Sequence, residues 1–180
     1  HLSLKNELAK LGLTCFEDFD SNYSQIKDMI GKYDGLIIRS RINIDINFLK
    51  SCKNLKFIAR YGAGLENIDL IEAKKRNIQI ISSGEGNKQA VAEHCIGMIL
   101  TLFNKINTAN FQIKNKIWDR KSNIGIEISG KTFGILGYGN TGSAFAKCLS
   151  GFDCKILVYD KFKSNFSNKY VIECKLDEIY

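Results

Sequence analysis

The 180-residue sequence has no proline at all and only two histidines, His1 and His94. No stretch approaches the roughly 18 consecutive apolar residues of a membrane span, and residues 1–30 lack the charged-then-apolar plan of a signal peptide. A soluble, cytoplasmic protein with no membrane partner is the expectation. The six cysteines (Cys15, Cys52, Cys95, Cys148, Cys154 and Cys174) form no C-x-x-C pair and no Cys/His cluster of zinc-site spacing. They read as reduced, mostly buried thiols, and no metal is expected. The formal charge is +7, yet the lysines are spread along the chain with no dense basic run and no aromatic-interleaved RNA motif, which argues against a nucleic-acid partner. Abundant Lys, Asn and Ile beside the missing proline point to an AT-rich genome instead.

Against these absences, a hydrophobic content of 44% is enough for one good-sized domain or two small ones. Residues 131–160, KTFGILGYGNTGSAFAKCLSGFDCKILVYD, organise the rest. Residues 132–136 are a short β-prone apolar run, Gly137, Gly139 and Gly142 follow at G-x-G-x-x-G spacing, and residues 143–149 read as a helix. A second apolar run over 155–159 ends in Asp160. In such a unit the first glycine permits the tight turn, the second lets the backbone approach a pyrophosphate, and the third lets the helix pack closely on the strand. The pyrophosphate belongs at the positive end of the helix dipole, among amides without intrahelical partners. Glycines also mark ordinary turns. The flanking strand, helix, second strand and terminal acid favour dinucleotide binding over that plainer reading. Asp160 is the expected acceptor for the adenosine ribose hydroxyls, and its carboxylate would repel the 2′-phosphate of NADP. NAD is therefore the expected cofactor, with Lys161 and Lys163 weighing slightly the other way.

Elsewhere strands and helices alternate. Leu4, Leu8 and Leu11 share one face of a helix over 2–12 that stops at Gly12. A parallel α/β domain normally begins with a strand, so one is expected to be missing ahead of this helix, and His1 stands where an initiator Met is expected. There follow a strand at 13–16, a helix at 23–30, a strand at 35–39, a helix at 46–52 capped by Asp45, and a strand at 55–59. Asp69 caps a helix to 76, and 78–81 is a further strand. Largely apolar strands between helices argue a parallel sheet covered on both faces. The glycine-containing segment 82–87 is the expected boundary. A long helix over about 88–113 carries Val91, Cys95, Met98, Leu102 and Phe103 at core-like spacing, with Trp118 in the loop beyond. After Asp160 come a short strand at 170–172 and the beginning of a helix at 176–179. A nucleotide domain has two βαβαβ halves, and barely one is present.

The motifs fall into a series: a strand ending in Arg39-Ser40, RYGAGLENID over 60–69, Asn87 with AVAEH over 90–94, Trp118, and GKTFGILGYGNTG. That series resembles the D-isomer-specific 2-hydroxyacid dehydrogenases, in particular the phosphoglycerate dehydrogenase-like branch, over nearly the whole chain. The resemblance implies an α/β fold: a flavodoxin-like substrate domain (1–87) followed by the N-terminal half of a Rossmann NAD-binding domain (88–180), with the family's active site in the cleft between its domains. It implies an NAD-dependent oxidoreductase acting on a small 2-hydroxy or 2-oxo acid, 3-phosphoglycerate of serine biosynthesis or a glycerate- or glyoxylate-like acid, in a homodimer or higher homo-oligomer. Arg39 and Ser40 match the loop facing the substrate, Gly62, Ala63 and Gly64 the turn whose amides hold its carboxylate, and Arg60 a phosphate contact. Asn140 and Thr141 match residues lining the pyrophosphate, beside Gly137, Gly139 and Gly142, and Asp160 the ribose acid. Read without the resemblance, Arg39 and Arg60 are equally surface arginines at strand ends, and Gly62 and Gly64 a simple turn.

Hydride transfer needs a base for the hydroxyl proton, an acid to tune it and an arginine for the carboxylate. In the family these are a histidine, a glutamate and an arginine from later in the chain, and no matching motif occurs here. His94 falls in the family's structural Val-Ala-Glu-His helix and reads as a partly buried structural residue. No catalytic residue is therefore assigned, and the 180 residues alone are expected to be inactive. The alternative is a non-catalytic NAD-binding module of the same fold, corepressor-like, and fold alone does not choose between the two.

Overall fold

The computed structural model describes residues 2–180, without the side chain of Leu2; His1 lies outside the described residues. The chain divides into two compact units, one ending at Ser82 and the other spanning Ser83–Tyr180. Residues 83–87, within the glycine-containing segment, thus go with the second unit.

The first unit opens on α1 (Leu2–Lys10). Residues 13–16 form no strand, contrary to expectation. An apolar run of four residues becomes a strand only where a ladder partner lies beside it, and the sheet of this unit ends at β1 among the described residues. Leu13 and Phe16 are correspondingly exposed. α2 (Tyr23–Met29) starts at a capping box in which the Asn22 side chain accepts from the Gln25 amide and the Gln25 side chain accepts from the Asn22 amide. Then come β1 (Gly35–Ile38), α3 (Ile46–Leu49), β2 (Phe57–Arg60), α4 (Leu70–Lys75) and β3 (Gln79–Ser82). Asp45 and Asp69 cap α3 and α4, accepting from the Phe48 amide at 2.8 Å and the Glu72 amide at 2.9 Å.

The three strands run parallel in the order β1-β2-β3, in a register that aligns Ile38, Arg60 and Ser82. The loops after β1 and β2 therefore leave the same edge of the sheet, the carboxyl-end edge at which α/β folds bind ligands. Ile44, Phe48, Leu49 and Ile58 are completely buried, each contributing about 1.5–3 kcal/mol. Cover on both faces of the strands is incomplete, because Ile37 and Ile81 point away from this cluster and are exposed.

In the second unit the expected long helix is two. α5 (Lys88–Phe103) ends at Asn104, Lys105 takes a left-handed conformation (φ +51°), and α6 (Ile106–Lys114) follows. A side-chain contact from far along the chain accompanies the break, since Lys105 Nζ donates to the Ser122 carbonyl at 2.7 Å. Met98 and Leu102, placed at core-like spacing in the sequence, are 56% and 72% exposed, whereas Ala92 is the fully buried residue of α5. Next come β4 (Thr132–Leu136), α7 (Asn140–Leu149), β5 (Lys155–Tyr159) and β6 (Ile172–Glu173), with a 3₁₀ turn at Leu176–Glu178. β4, β5 and β6 are parallel in that order. Ile135, Ala146, Leu149, Ile156, Val158 and Val171 form the core, and α5 packs along α7. All six cysteines are free, but only Cys52 is buried and the other five are half-buried, so the thiols are less sheltered than expected.

Candidate functional site

β4 and β5 end level, Leu136 beside Tyr159, so the glycine loop and Asp160 emerge together at the carboxyl edge of the second sheet. Gly137 leaves β4 at φ +98°, a left-handed value that a side chain would strain, and its amide donates to the Tyr159 carbonyl at 2.7 Å. A β-carbon on Gly142 would run into the Gly137 carbonyl, so α7 can start this close to β4 only with glycine there. Gly139 is different. It is the N-cap of α7 in extended backbone, no side chain caps the helix, and a β-carbon on it meets nothing within 4 Å. The first amide of this helix to find a partner is that of Ser143, bonded to the Gly139 carbonyl; among the described residues the amides of Gly139, Asn140, Thr141 and Gly142 have none. Four unpartnered donors at the positive end of a ten-residue helix are an arrangement that suits an anion.

Asp160 is tied to this loop. Its Oδ2 accepts from the Tyr138 amide at 2.6 Å, while Oδ1 accepts from the amides of Phe162 and Lys163 at 2.8 and 3.0 Å. The Tyr138 amide first, then that of Phe162, holds the carboxyl below its usual range, so it stays a charged acceptor. Lys163, which in the sequence weighed toward NADP, is engaged: its Nζ donates to the Tyr138 carbonyl at 2.9 Å. The Tyr138 ring stacks on Phe166 at 4.6 Å, and its hydroxyl accepts from Asn168 Nδ2 at 3.3 Å. Tyr138 is thus gripped by its amide, carbonyl, ring and hydroxyl. Sequence reasoning missed Tyr138, Phe166 and Asn168 as supports, and only their adjacency in the fold reveals them.

In the first unit, the strand-end loops bring together Arg39, Arg60 and the 61–66 turn. Arg39 and Ser40 are exposed, and the Arg39 guanidinium lies 5.8 Å from the Tyr61 ring centre. Asn67 braces the two loops, donating to the carbonyls of Arg39 (3.3 Å) and Ile42 (3.0 Å). Gly62 has φ +149°, but its amide is already used, donating to the Arg60 carbonyl at 2.9 Å. The free amides of this turn, among the described residues, are those of Ala63, Gly64, Leu65 and Glu66. Arg60 is folded inward, its side chain 13% exposed, with Nη2 3.5 Å from Glu66 Oε1. His94 is exposed on α5, not partly buried as expected. Among the described residues no cluster of His, Cys, Asp and Glu is arranged to hold a metal, and no helix is long and apolar enough to cross a membrane.

The sequence model described as "D-isomer specific 2-hydroxyacid dehydrogenase, catalytic domain" matches residues 4–173. The chain belongs to this family. Among D-isomer-specific 2-hydroxyacid dehydrogenases and their kin, it is 37% identical to the D-3-phosphoglycerate dehydrogenase of Archaeoglobus fulgidus over 135 residues, 75% of this chain and 26% of that protein. The hydroxypyruvate reductase of Thermotoga maritima is 35% identical over 139 residues, 77% of this chain and 45% of that one. The chain thus spans between a quarter and a half of these relatives. Of solved structures, the PH0520 protein from Pyrococcus horikoshii superposes with TM-score 0.81 at 29% identity, covering 97% of this chain and 55% of that one. The D-lactate dehydrogenase of Aquifex aeolicus, solved with NAD and lactic acid, gives 0.84 over 99% of this chain and 54% of its own, at 23% identity, a likeness of fold. Both units are accordingly α/β, with the parallel sheets of this dehydrogenase fold.

Proposed function

We propose that this chain supplies the dinucleotide-phosphate loop and the substrate-anion cradle of an NAD-dependent oxidoreductase. That enzyme moves hydride between the nicotinamide and C2 of a D-2-hydroxy acid, 3-phosphoglycerate or a similar small acid such as glycerate, or in the reverse direction reduces a small oxo acid such as glyoxylate. The observation carrying the reading is the set of four unpartnered amides at the start of α7, directly beside a charged Asp160. The residues suit a dinucleotide: Gly137, Gly139, Asn140, Thr141 and Gly142 receive the pyrophosphate, and Asp160 the ribose hydroxyls. Asp160 Oδ2, bonded to one amide, retains acceptor capacity for a ribose hydroxyl, whereas Oδ1 already takes two amides. Bound NAD would supply the hydride acceptor. The chain's own part is to fix the diphosphate by backbone donors and to favour NAD over NADP by a charge that repels a 2′-phosphate.

At the other site, the free amides of Ala63 and Gly64 would bind the carboxylate, with Gly62 shaping the turn, Arg39 and Ser40 at its rim, and Arg60 a second cation for phosphate. The hydrogen-bond donors thus gather where the substrate is most negative. We further propose a cytoplasmic protein, and the exposed Met98 and Leu102 of α5 support a homodimer or higher homo-oligomer. Titrating NAD and NADP into the protein calorimetrically tests the cofactor: NAD should bind more tightly, and equal affinities would defeat the assignment. A non-catalytic NAD-binding module is a second reading. It rests on the dinucleotide loop alone, which can serve NAD binding with or without hydride transfer. Hydride transfer with 3-phosphoglycerate or hydroxypyruvate by the protein carrying this chain excludes that reading.

A further inference from the structure

We propose that Glu66 sets how strongly the cradle takes an acid with a second negative group, by competing with that group for Arg60. The inference rests on the reading of the 62–64 turn as the substrate cradle. Arg60 ends β2 and is almost enclosed, yet its donors are badly met. Nε is buried with no partner, Nη1 reaches the Tyr61 carbonyl only at 3.5 Å, and Nη2 reaches Glu66 Oε1 also at 3.5 Å. A good guanidinium–carboxylate pair forms a two-pronged fork at about 2.7–2.9 Å, and this one does not. An enclosed cation with idle donors is a receptor for an anion.

Glu66 stands in the way. Its side chain is 72% exposed, and its carboxylate lies where a β-carbon on Gly64 would be, just as Arg60 Nη1 lies where one on Gly62 would be. The two side chains therefore fill the hollow left by the two glycines, beside the free amides of Ala63 and Gly64. A dianionic phosphate has to displace this carboxylate, while a neutral hydroxymethyl group has no need of Arg60. Because Glu66 is exposed and its pair long, it can swing into solvent without disturbing Arg60, which the fold holds. Glu66 is thus a positioning residue acting through Arg60. It moderates the preference for phosphorylated acids.

The test measures KM for 3-phospho-D-glycerate and for D-glycerate in the protein carrying this chain, for the natural sequence, Glu66→Gln, Arg60→Ala and the double variant. Glutamine keeps the size and removes the charge. Glu66→Gln should lower the KM ratio of phosphorylated to unphosphorylated acid by roughly two- to fivefold, the range of an exposed ion pair. The change should vanish in the Arg60→Ala background, which loss of local packing alone would not produce. If Arg60→Ala raises KM for the phosphorylated acid but Glu66→Gln leaves the ratio unchanged or raises it, the Glu66 inference is wrong and the cradle stands. If Arg60→Ala leaves both KM values untouched, the cradle reading fails and the inference falls with it.

Discussion

Replacing Gly139 by alanine isolates the central claim, because its neighbours in the glycine loop are constrained by the fold and it is not. The backbone of Gly139 is at φ −77° and ψ −158°, open to any residue, and a methyl group there meets no atom within 4 Å. The folded protein should therefore tolerate it, with under about 1 kcal/mol lost through a poorer N-cap. What the methyl would meet is a pyrophosphate drawn against the free amides of residues 139–142. Losing or straining one or two charge-assisted hydrogen bonds costs about 1–3 kcal/mol, or roughly fivefold to 150-fold in affinity. Gly142→Ala supplies the contrast. Its β-carbon would collide with the Gly137 carbonyl, a backbone atom that cannot turn aside. Overpacking of that kind costs about 1–3 kcal/mol of folding stability. Thermal unfolding followed by circular dichroism should thus separate the two variants: Gly142→Ala melts lower, while Gly139→Ala melts near the parent and fails in calorimetric titration with NAD. Full NAD affinity in a folded Gly139→Ala protein would show that this loop is an ordinary turn.

Asp160→Ala should narrow the preference for NAD over NADP, read as the ratio of dissociation constants, and an unchanged ratio would remove Asp160 from the ribose site. Hydride transfer to hydroxypyruvate or glyoxylate should be undetectable with the 180 residues alone, measured as NADH oxidation, since His94 is exposed on α5 and no other described histidine exists. Asp69→Ala removes the cap of α4 and should cost about 1 kcal/mol, a fall in melting temperature of about 4–8 °C for a unit of this size. Acid should destabilise the fold in a defined window. The carboxyls of Asp45 and Asp160 are held below the usual range by amides, Asp45 first by that of Phe48 and then by the Tyr23 hydroxyl. Their stabilisation is complete above the ordinary aspartate value of about 4 and is lost as pH falls through the lower folded values. Asp45→Asn should flatten the fall in denaturant midpoint between about pH 5 and 3, and an unaltered slope would contradict the assigned hydrogen bonds.

What the sequence determined by itself is what short-range geometry dictates. Three glycines at G-x-G-x-x-G spacing between a strand and a helix require a tight turn, an uncapped helix start and a close strand–helix approach, and Gly137, Gly139 and Gly142 take those places because each constraint acts within a few residues. Asp45 and Asp69 are legible for the same reason, since a cap bonds an amide three positions on. The tertiary structure decided whatever depends on a distant neighbour. Residues 13–16 have β-prone side chains but no strand to pair with. The helix of 88–113 breaks at Lys105 with no glycine or proline to announce it, and the Ser122 carbonyl that receives its ammonium lies in a remote loop. Met98 and Leu102 follow a core spacing, yet periodicity reports a shared face and not what covers it. The same limit governs the candidate sites. That Asp160 accepts from Tyr138, that Lys163 is engaged, that the Gly62 amide is consumed and that Glu66 lies across Arg60 all follow from chain segments brought together by packing, which no local pattern of residues encodes.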